Sequence, residues 1–153
     1  MPAAHKPQDR LEAIKYLIRD NSLCVLATAS ADRPHCSLMA YVVNEECTEF
    51  CMATPRDSKK YRNLVANAQV SLLIDNRDRH GPTTTPETKA LTVGGVFRPL
   101  SDGPELDPAR SRLLARHPEM AAFFHHADTV VFSVKVESYQ LLEGIAESSF
   151  ITV

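Results

Sequence analysis

The stretch richest in chemical groups is Thr54-Pro55-Arg56-Asp57-Ser58-Lys59-Lys60-Tyr61-Arg62-Asn63-Leu64. Two hydroxyls and a cluster of cations gather where an apolar, strand-like run ends and a helical spacing begins. A helix start offers free backbone N–H groups and the positive end of the helix dipole, so anions are favoured there, phosphate above all. Ser58, Lys59 and Lys60 therefore make a compact anion cradle. The same residues also fit a plainer role, with Ser58 capping the helix and Lys59, Lys60 and Arg62 forming a solvated face. Local physics alone leaves both open.

Two further sets of residues carry chemistry. Cys47 and Cys51 have a metal-compatible spacing, but no second closely spaced pair accompanies them, so no metal site is expected. Cys24 and Cys51 fall in apolar runs, where a reduced thiol acts as a small hydrophobe. His80, His117, His125 and His126 are possible axial ligands for haem, although histidines near helix ends more often serve the helix terminus.

Positioning these groups requires a scaffold, and its elements are readable from periodicity. Leu11, Ile14, Leu17 and Ile18 recur at helical spacing, which predicts an opening amphipathic helix that stops near Asn21 and covers one end of the fold. Leu23 to Ala29 reads as a buried strand closed by the turn Ala31-Asp32-Arg33-Pro34. A second strand is expected over His35 to Val43 and a third over Glu49 to Thr54, the two forming an antiparallel hairpin. Tyr61, Leu64 and Val65 then mark one face of a short helix between Ser58 and Asn67.

Val70 to Ile74 and Ala90 to Phe97 read as the fourth and fifth strands. Between them the long loop Asn76 to Glu87 carries Arg77, Arg79 and His80 as possible lid residues. Gly94 and Gly95 sit inside a strand, which suggests a bulge or tight bend. Two short helices follow from Asp107 to Ala127, with Pro108 early in the first and Pro118 restarting the second. A long sixth strand runs from Thr129 to about Leu142.

Six strands with only short helices point to a mainly β fold, a six-stranded antiparallel barrel, occupying 1–153 as one domain. With 153 residues, 44% hydrophobic and a formal charge of -2, the chain can form one core but has no broad positive field to gather nucleic acid or an anionic membrane. No apolar run reaches the roughly 20 residues of a membrane span, and the first ten residues lack an apolar signal core. A cytoplasmic location is the expectation.

The ordered set of Leu23-Cys24-Val25-Leu26-Ala27-Thr28, Arg33-Pro34-His35-Cys36-Ser37-Leu38, Phe50-Cys51-Met52-Ala53-Thr54, Ser58 to Leu64, Asn67-Ala68-Gln69-Val70-Ser71-Leu72 and Ala90-Leu91-Thr92-Val93-Gly94-Gly95 resembles the pyridoxamine 5'-phosphate oxidase-like FMN-binding split-barrel family. The terminal strand before Leu141-Leu142-Glu143-Gly144 is also similar. That resemblance implies FMN as cofactor, its phosphate held by Ser58, Lys59 and Lys60 with Thr54 as the strand-end contact. It places the isoalloxazine ring against Leu38, Met39, Ala40 and Tyr41, whose backbone groups can bond its polar edge. It also implies a homodimer with the flavin at the subunit interface, and a small-molecule substrate.

The chain departs from the oxidase proper, which carries an arginine-x-histidine pair and a tryptophan near its C-terminus. Here there is no tryptophan, the last residues are Ser148-Ser149-Phe150-Ile151-Thr152-Val153, and Ala90 replaces a polar flavin contact. A flavin-dependent oxidoreductase other than the vitamin B6 oxidase is the leading expectation. A haem-handling relative on the same barrel and a flavin carrier or non-catalytic binding module are the alternatives.

Overall fold

The computed structural model describes residues 6–80, 85–144 and 147–153. Eight strands form one antiparallel sheet: β1 (Leu23–Ser30), β2 (Arg33–Ala40), β3 (Val42–Val43), β4 (Glu49–Pro55), β5 (Gln69–Asp75), β6 (Lys89–Pro99), β7 (Thr129–Glu143) and β8 (Glu147–Thr152). The helices are α1 (Pro7–Asp20), α2 (Lys59–Ala66), α3 (Arg77–His80), α4 (Leu106–Arg116) and α5 (Ala121–Phe124), with a 3-10 turn at Pro118–Met120. Strand order is β2-β1-β5-β6-β7-β4-β3, with β8 added beside β7. Its first and last members, β2 and β3, are separated only by Tyr41. A sheet whose two edges are joined by one residue must curl, and this one curls into a split barrel.

That closure corrects the expected strand count of six. The expected strand His35 to Val43 is two strands, because the chain changes neighbour at Tyr41: β2 pairs with β1 up to Ala40, while Val42 and Val43 pair with Cys51 and Phe50 of β4. The expected hairpin of strands two and three is thus confined to that short tail. β8 was not expected. Its residues Glu147-Ser148-Ser149-Phe150-Ile151-Thr152 lack a core-facing apolar alternation, and what holds them is the ladder to Ser138–Glu143, the half of β7 that β4 leaves free.

The interior follows from the pleat. Cys24 and Leu26 of β1, Met39 of β2, Phe50 and Met52 of β4, Leu72 and Ile74 of β5 and Phe132 and Val134 of β7 all point into the main core. Burial of roughly 0.8 kcal/mol per CH₂ makes this cluster the chief source of stability. α1 closes one end with Ile14, Leu17 and Ile18, as its periodicity predicts, and α2 inserts Leu64 at the other. A smaller cluster of Ala109, Leu113, Phe124, Cys51, Ala53 and Val131 lies outside the barrel, beneath α4 and α5.

Two backbone features set the barrel's shape. The β1–β2 turn has both central residues, Ala31 (φ 51) and Asp32 (φ 59), in the left-handed region, the geometry of the tightest hairpins. At Gly94/Gly95 the β6–β7 register slips, so the expected bulge is present. A Cβ at Gly95 would lie 2.7 Å from both the Lys135 carbonyl oxygen and Val134 Cγ1. Because one of those atoms is backbone, Gly95→Ala should lower unfolding stability by about 1–3 kcal/mol, read as a lower urea midpoint at unchanged slope. An unchanged midpoint would show that the bulge has room for a side chain.

Candidate functional site

The barrel splits between β2 and β4. The β3–β4 register, Val42 with Cys51 and Val43 with Phe50, would if continued along β2 set Ala40 against Ala53 and Leu38 against Pro55. Instead β2 swings to β1, and β2 and β4 touch without a ladder above Val42. The Tyr41 N–H donates to Ser22 at 3.1 Å on the β1 side. In an antiparallel ladder the backbone groups alternate sides. Those of Leu38 and Ala40 therefore point to the open edge.

At the upper end of this split, β4 gives way to α2 through Arg56 and Asp57. Ser58 caps the helix, its Oγ accepting from the Tyr61 N–H at 3.2 Å and lying 3.1 Å from Thr54 Oγ1. If Thr54 donates, the Ser58 proton is left for a ligand. Asp57 is taken by Arg62 at 2.8 Å, and Arg56 stacks over the Tyr61 ring at 5.9 Å. Among the described residues no carboxylate pairs with Lys59 or Lys60. Two ammonium groups, a hydroxyl and the free N–H groups of a helix start thus stand together without an internal counter-charge.

The eight residues singled out from the sequence therefore fall on the two sides of one split, in different roles. Leu38 is 70% exposed on the outer face of the barrel, whereas Met39 is 5% and Tyr41 2% exposed, facing inward. Tyr41 Oη donates to the Ile18 carbonyl at 2.5 Å, tying the split to α1. Burial, and secondarily the neighbouring Cys24, pushes its phenol pKa upward, so it remains a donor. The backbone groups of Met39 and Tyr41 face β1 rather than the open edge, the Tyr41 carbonyl oxygen lying 3.0 Å from His117 Nε2. Thr54 is buried at 1%, while Lys59 is exposed and Lys60 half-buried.

Sequence reasoning placed Val65 with Leu64 on the inner helix face, yet Val65 is 65% exposed and Asn63 is buried. Asn63 Nδ2 donates to Thr28 Oγ1 at 3.1 Å, locking α2 onto β1. The polar spacing hid this pairing, since the partner Thr28 lies 35 residues away in the chain.

The outer face of the sheet carries a second feature. Leu38, Val25, Leu73, Thr92, Gln140 and Phe150 stand in one cross-strand register running over six strands. Leu38 and Phe150, at its two ends, are 70% and 66% exposed, with Leu23 and Leu142 in the neighbouring registers at 48% and 37%. Leu23, Val25, Leu38 and Leu73 on this face border a hollow shared with Arg77, Asp78 and Arg79 of α3. Ala90 lies on it too, beside Leu142.

Comparison with known proteins decides the family. The pyridoxamine 5'-phosphate oxidase family model matches residues 11–143. The chain belongs to the pyridoxamine 5'-phosphate oxidase-like split-barrel family. A Schizosaccharomyces pombe relative, named as a pyridoxamine 5'-phosphate oxidase homolog, is 31% identical over 88 residues, 51% of this chain and 45% of the relative; the match thus takes in less than half of that protein's length. Among solved structures, the chain is similar to HutZ, the heme storage protein from Vibrio cholerae, with a TM-score of 0.72, 22% identity and coverage of 87% of this chain and 93% of that one. It is also similar to an FAD-binding protein from Mesorhizobium loti, with a TM-score of 0.71, 20% identity and coverage of 90% and 94%. At these identities the structural likeness establishes the shared fold.

Within this split-barrel member the remaining chemistry-bearing residues are largely engaged. His117 is buried, with Nε2 3.0 Å from the Tyr41 carbonyl oxygen and Nδ1 3.5 Å from the Glu119 carboxylate. His125 and His126 are exposed at the end of α5. Arg77 pairs with Asp75 at 3.1 Å and Arg79 pairs with Asp20, so both basic loop residues are tied to the scaffold. The His80 side chain and residues 81–84 of the proposed lid lie outside the described residues. Burial pushes the Cys24 thiol up to about 12 and raises that of Cys51, consistent with apolar packing. Among the described residues no cluster of three or more His, Cys, Asp or Glu side chains could hold a metal. No described helix is long and apolar enough to cross a membrane.

Proposed function

We propose that this chain binds FMN at the split between β2 and β4 and acts, as a cytoplasmic homodimer, in flavin-dependent oxidation or reduction of a small molecule. The observation that carries the reading is the α2 start: Lys59 and Lys60 without carboxylate partners, beside the hydroxyls of Ser58 and Thr54, at the end of a strand gap with an open backbone edge. A phosphate there gains from the helix dipole and charge-assisted bonds together. Backbone groups of Leu38 and Ala40 supply donors and acceptors for the polar rim of the ring, and the buried side chains of Met39 and Tyr41 hold that strand in place. When bound, FMN supplies hydride and electron chemistry, while the protein contributes position and electrostatics.

The open outer face supports the dimer. A chain with Leu38, Leu23, Phe150 and Leu142 exposed on one sheet surface has apolar area that a second copy can remove from water. In this reading Ala90, on that face opposite Leu142, offers the flavin no polar side chain. Partners other than a second copy and a small molecule are not part of this reading; neither nucleic acid nor membrane is invoked.

A haem-binding reading is favoured by the likeness to solved heme proteins, the Vibrio cholerae heme storage protein among them. The absorption spectrum of the purified protein separates the two. A flavin spectrum, with about one equivalent of FMN released per chain on denaturation, is expected. Release of FAD, a Soret band or no chromophore even after incubation with FMN would overturn the FMN reading.

A further inference from the structure

Tyr41, the corner between β2 and β3, has its three polar groups tied to three parts of the chain. Its N–H donates to the Ser22 carbonyl at 3.1 Å, its Oη donates to the Ile18 carbonyl at 2.5 Å, and its carbonyl oxygen lies 3.0 Å from His117 Nε2. Ile18 and Ser22 follow one another from α1 towards β1. His117 instead comes from the end of α4, 76 residues away in the chain.

The imidazole is held in place for this contact. Pro118 ends α4 and pushes the residue before it towards extended backbone, and His117 has φ -129 and ψ 73. Its N–H still donates to the Leu113 carbonyl at 2.8 Å, and its carbonyl accepts from the Met120 N–H at 3.0 Å. His117 is 4% exposed, so water does not compete for the Tyr41 carbonyl. A carbonyl oxygen only accepts, so Nε2 carries the hydrogen. Nδ1 is 3.5 Å from the exposed Glu119 carboxylate, which leaves the Tyr41 bond as the close, buried one.

The C=O and N–H of a planar trans peptide point in opposite directions. Because the Tyr41 N–H is turned to Ser22, the Ala40 carbonyl of the same peptide faces the open edge. Because the Tyr41 carbonyl is turned to His117, the Val42 N–H faces β4, where Val42 pairs with Cys51. His117 therefore fixes the peptide at which β2 ends and the β3–β4 ladder begins. Loss of its donor would leave a buried carbonyl to be satisfied by rotation of the 41–42 peptide, which takes the Val42 N–H out of the ladder.

We propose that His117 is a positioning residue for the flavin site: from α4 it clasps the Tyr41 carbonyl and so fixes the corner that presents Ala40 to the open edge. The consequence for flavin rests on the FMN reading, whereas the clasp belongs to the cofactor-free chain.

Titrations with riboflavin and FMN, together with amide hydrogen exchange of Val42 followed by NMR in the cofactor-free protein, test it on His117→Gln and His117→Leu. Glutamine carries an amide N–H at the place of Nε2, and leucine keeps apolar bulk without a donor. His117→Leu should weaken both flavins by about tenfold, since the turned peptide must be restored before the ring binds. The factor should be the same for both, because the ring edge is affected and the phosphate is not. The Val42 amide should exchange about tenfold faster in this variant. His117→Gln should stay within about threefold of the parent on both readouts, a rescue that a role in packing alone does not give. If circular dichroism shows the leucine variant unfolded, His117→Asn, too short to reach Tyr41, takes its place. Parent-like Val42 exchange or flavin affinity without the donor, or equal losses in the glutamine and leucine variants, would overturn the proposal. A parent that binds neither flavin defeats the FMN reading alone, and Val42 exchange then decides whether His117 is the clasp.

Discussion

Replacing Lys59 and Lys60 together by alanine lowers FMN affinity by about two to four powers of ten, while riboflavin binding hardly changes. The magnitude follows from two charge-assisted hydrogen bonds at about 1.5–3 kcal/mol each, with about 1.4 kcal/mol per factor of ten. Riboflavin lacks the phosphate, so it isolates that contribution from ring stacking and from any change in the barrel. Neither lysine takes part in the core, and substitution of such residues ordinarily shifts stability by no more than about 0.5 kcal/mol. The variant should therefore remain folded, which circular dichroism checks. Fluorescence quenching titrations with the two flavins give the comparison directly. Equal FMN affinity in parent and variant would reduce Ser58 to its capping bond and the lysines to a solvated face.

Phe150→Glu should convert the proposed dimer to monomers. Phe150 ends the cross-strand register that begins at Leu38, and it is 66% exposed in the single chain. In a two-fold interface the same substitution enters twice. Each buried charge without a partner costs about 3–5 kcal/mol, so the dissociation constant should rise by at least about four powers of ten. Sedimentation should show the parent near twice the 17.0 kDa chain mass and the variant near one. The monomer itself should keep its stability, because the side chain leaves a solvent-facing position. A variant that sediments as a dimer would remove the outer face from the interface, and a parent that is monomeric at micromolar concentration would remove the dimer.

These two tests also separate cofactor binding from assembly. If the flavin needs the second subunit, Phe150→Glu should lose FMN at dilute protein even though Lys59 and Lys60 are intact. Retention of FMN by the monomer would confine the site to one chain, between β2 and β4.

Much of this was legible in the residues themselves. The apolar spacing of Leu11 to Ile18, the cap and stop at Ser58 and Asn67, the turn at Ala31-Asp32 and the bulge at Gly94-Gly95 are all local, and local preferences rule where few distant contacts compete. The strand-to-helix junction at Thr54–Ser58 was legible for the same reason. What the residues did not disclose depends on distant partners. Tyr41 reads as the middle of a strand, and becomes a corner only because β1 and β4 bid for opposite ends of the same segment when the sheet closes. Asn63 reads as a surface polar residue until Thr28 arrives to satisfy its amide. β8 carries no core-facing alternation, since the free edge of β7 holds it.

The sequence by itself determined the β-rich class, the order of elements and the cationic helix start, because periodicity, capping and turn chemistry act over a few residues. The tertiary structure alone decided that this helix start stands at the end of an open strand edge, that an apolar register crosses six strands, and that Arg116 of α4 reaches the Arg19 carbonyl at the end of α1. Each of these needs residues far apart in the chain to share a surface, and only closure of the sheet and docking of α4 put them there.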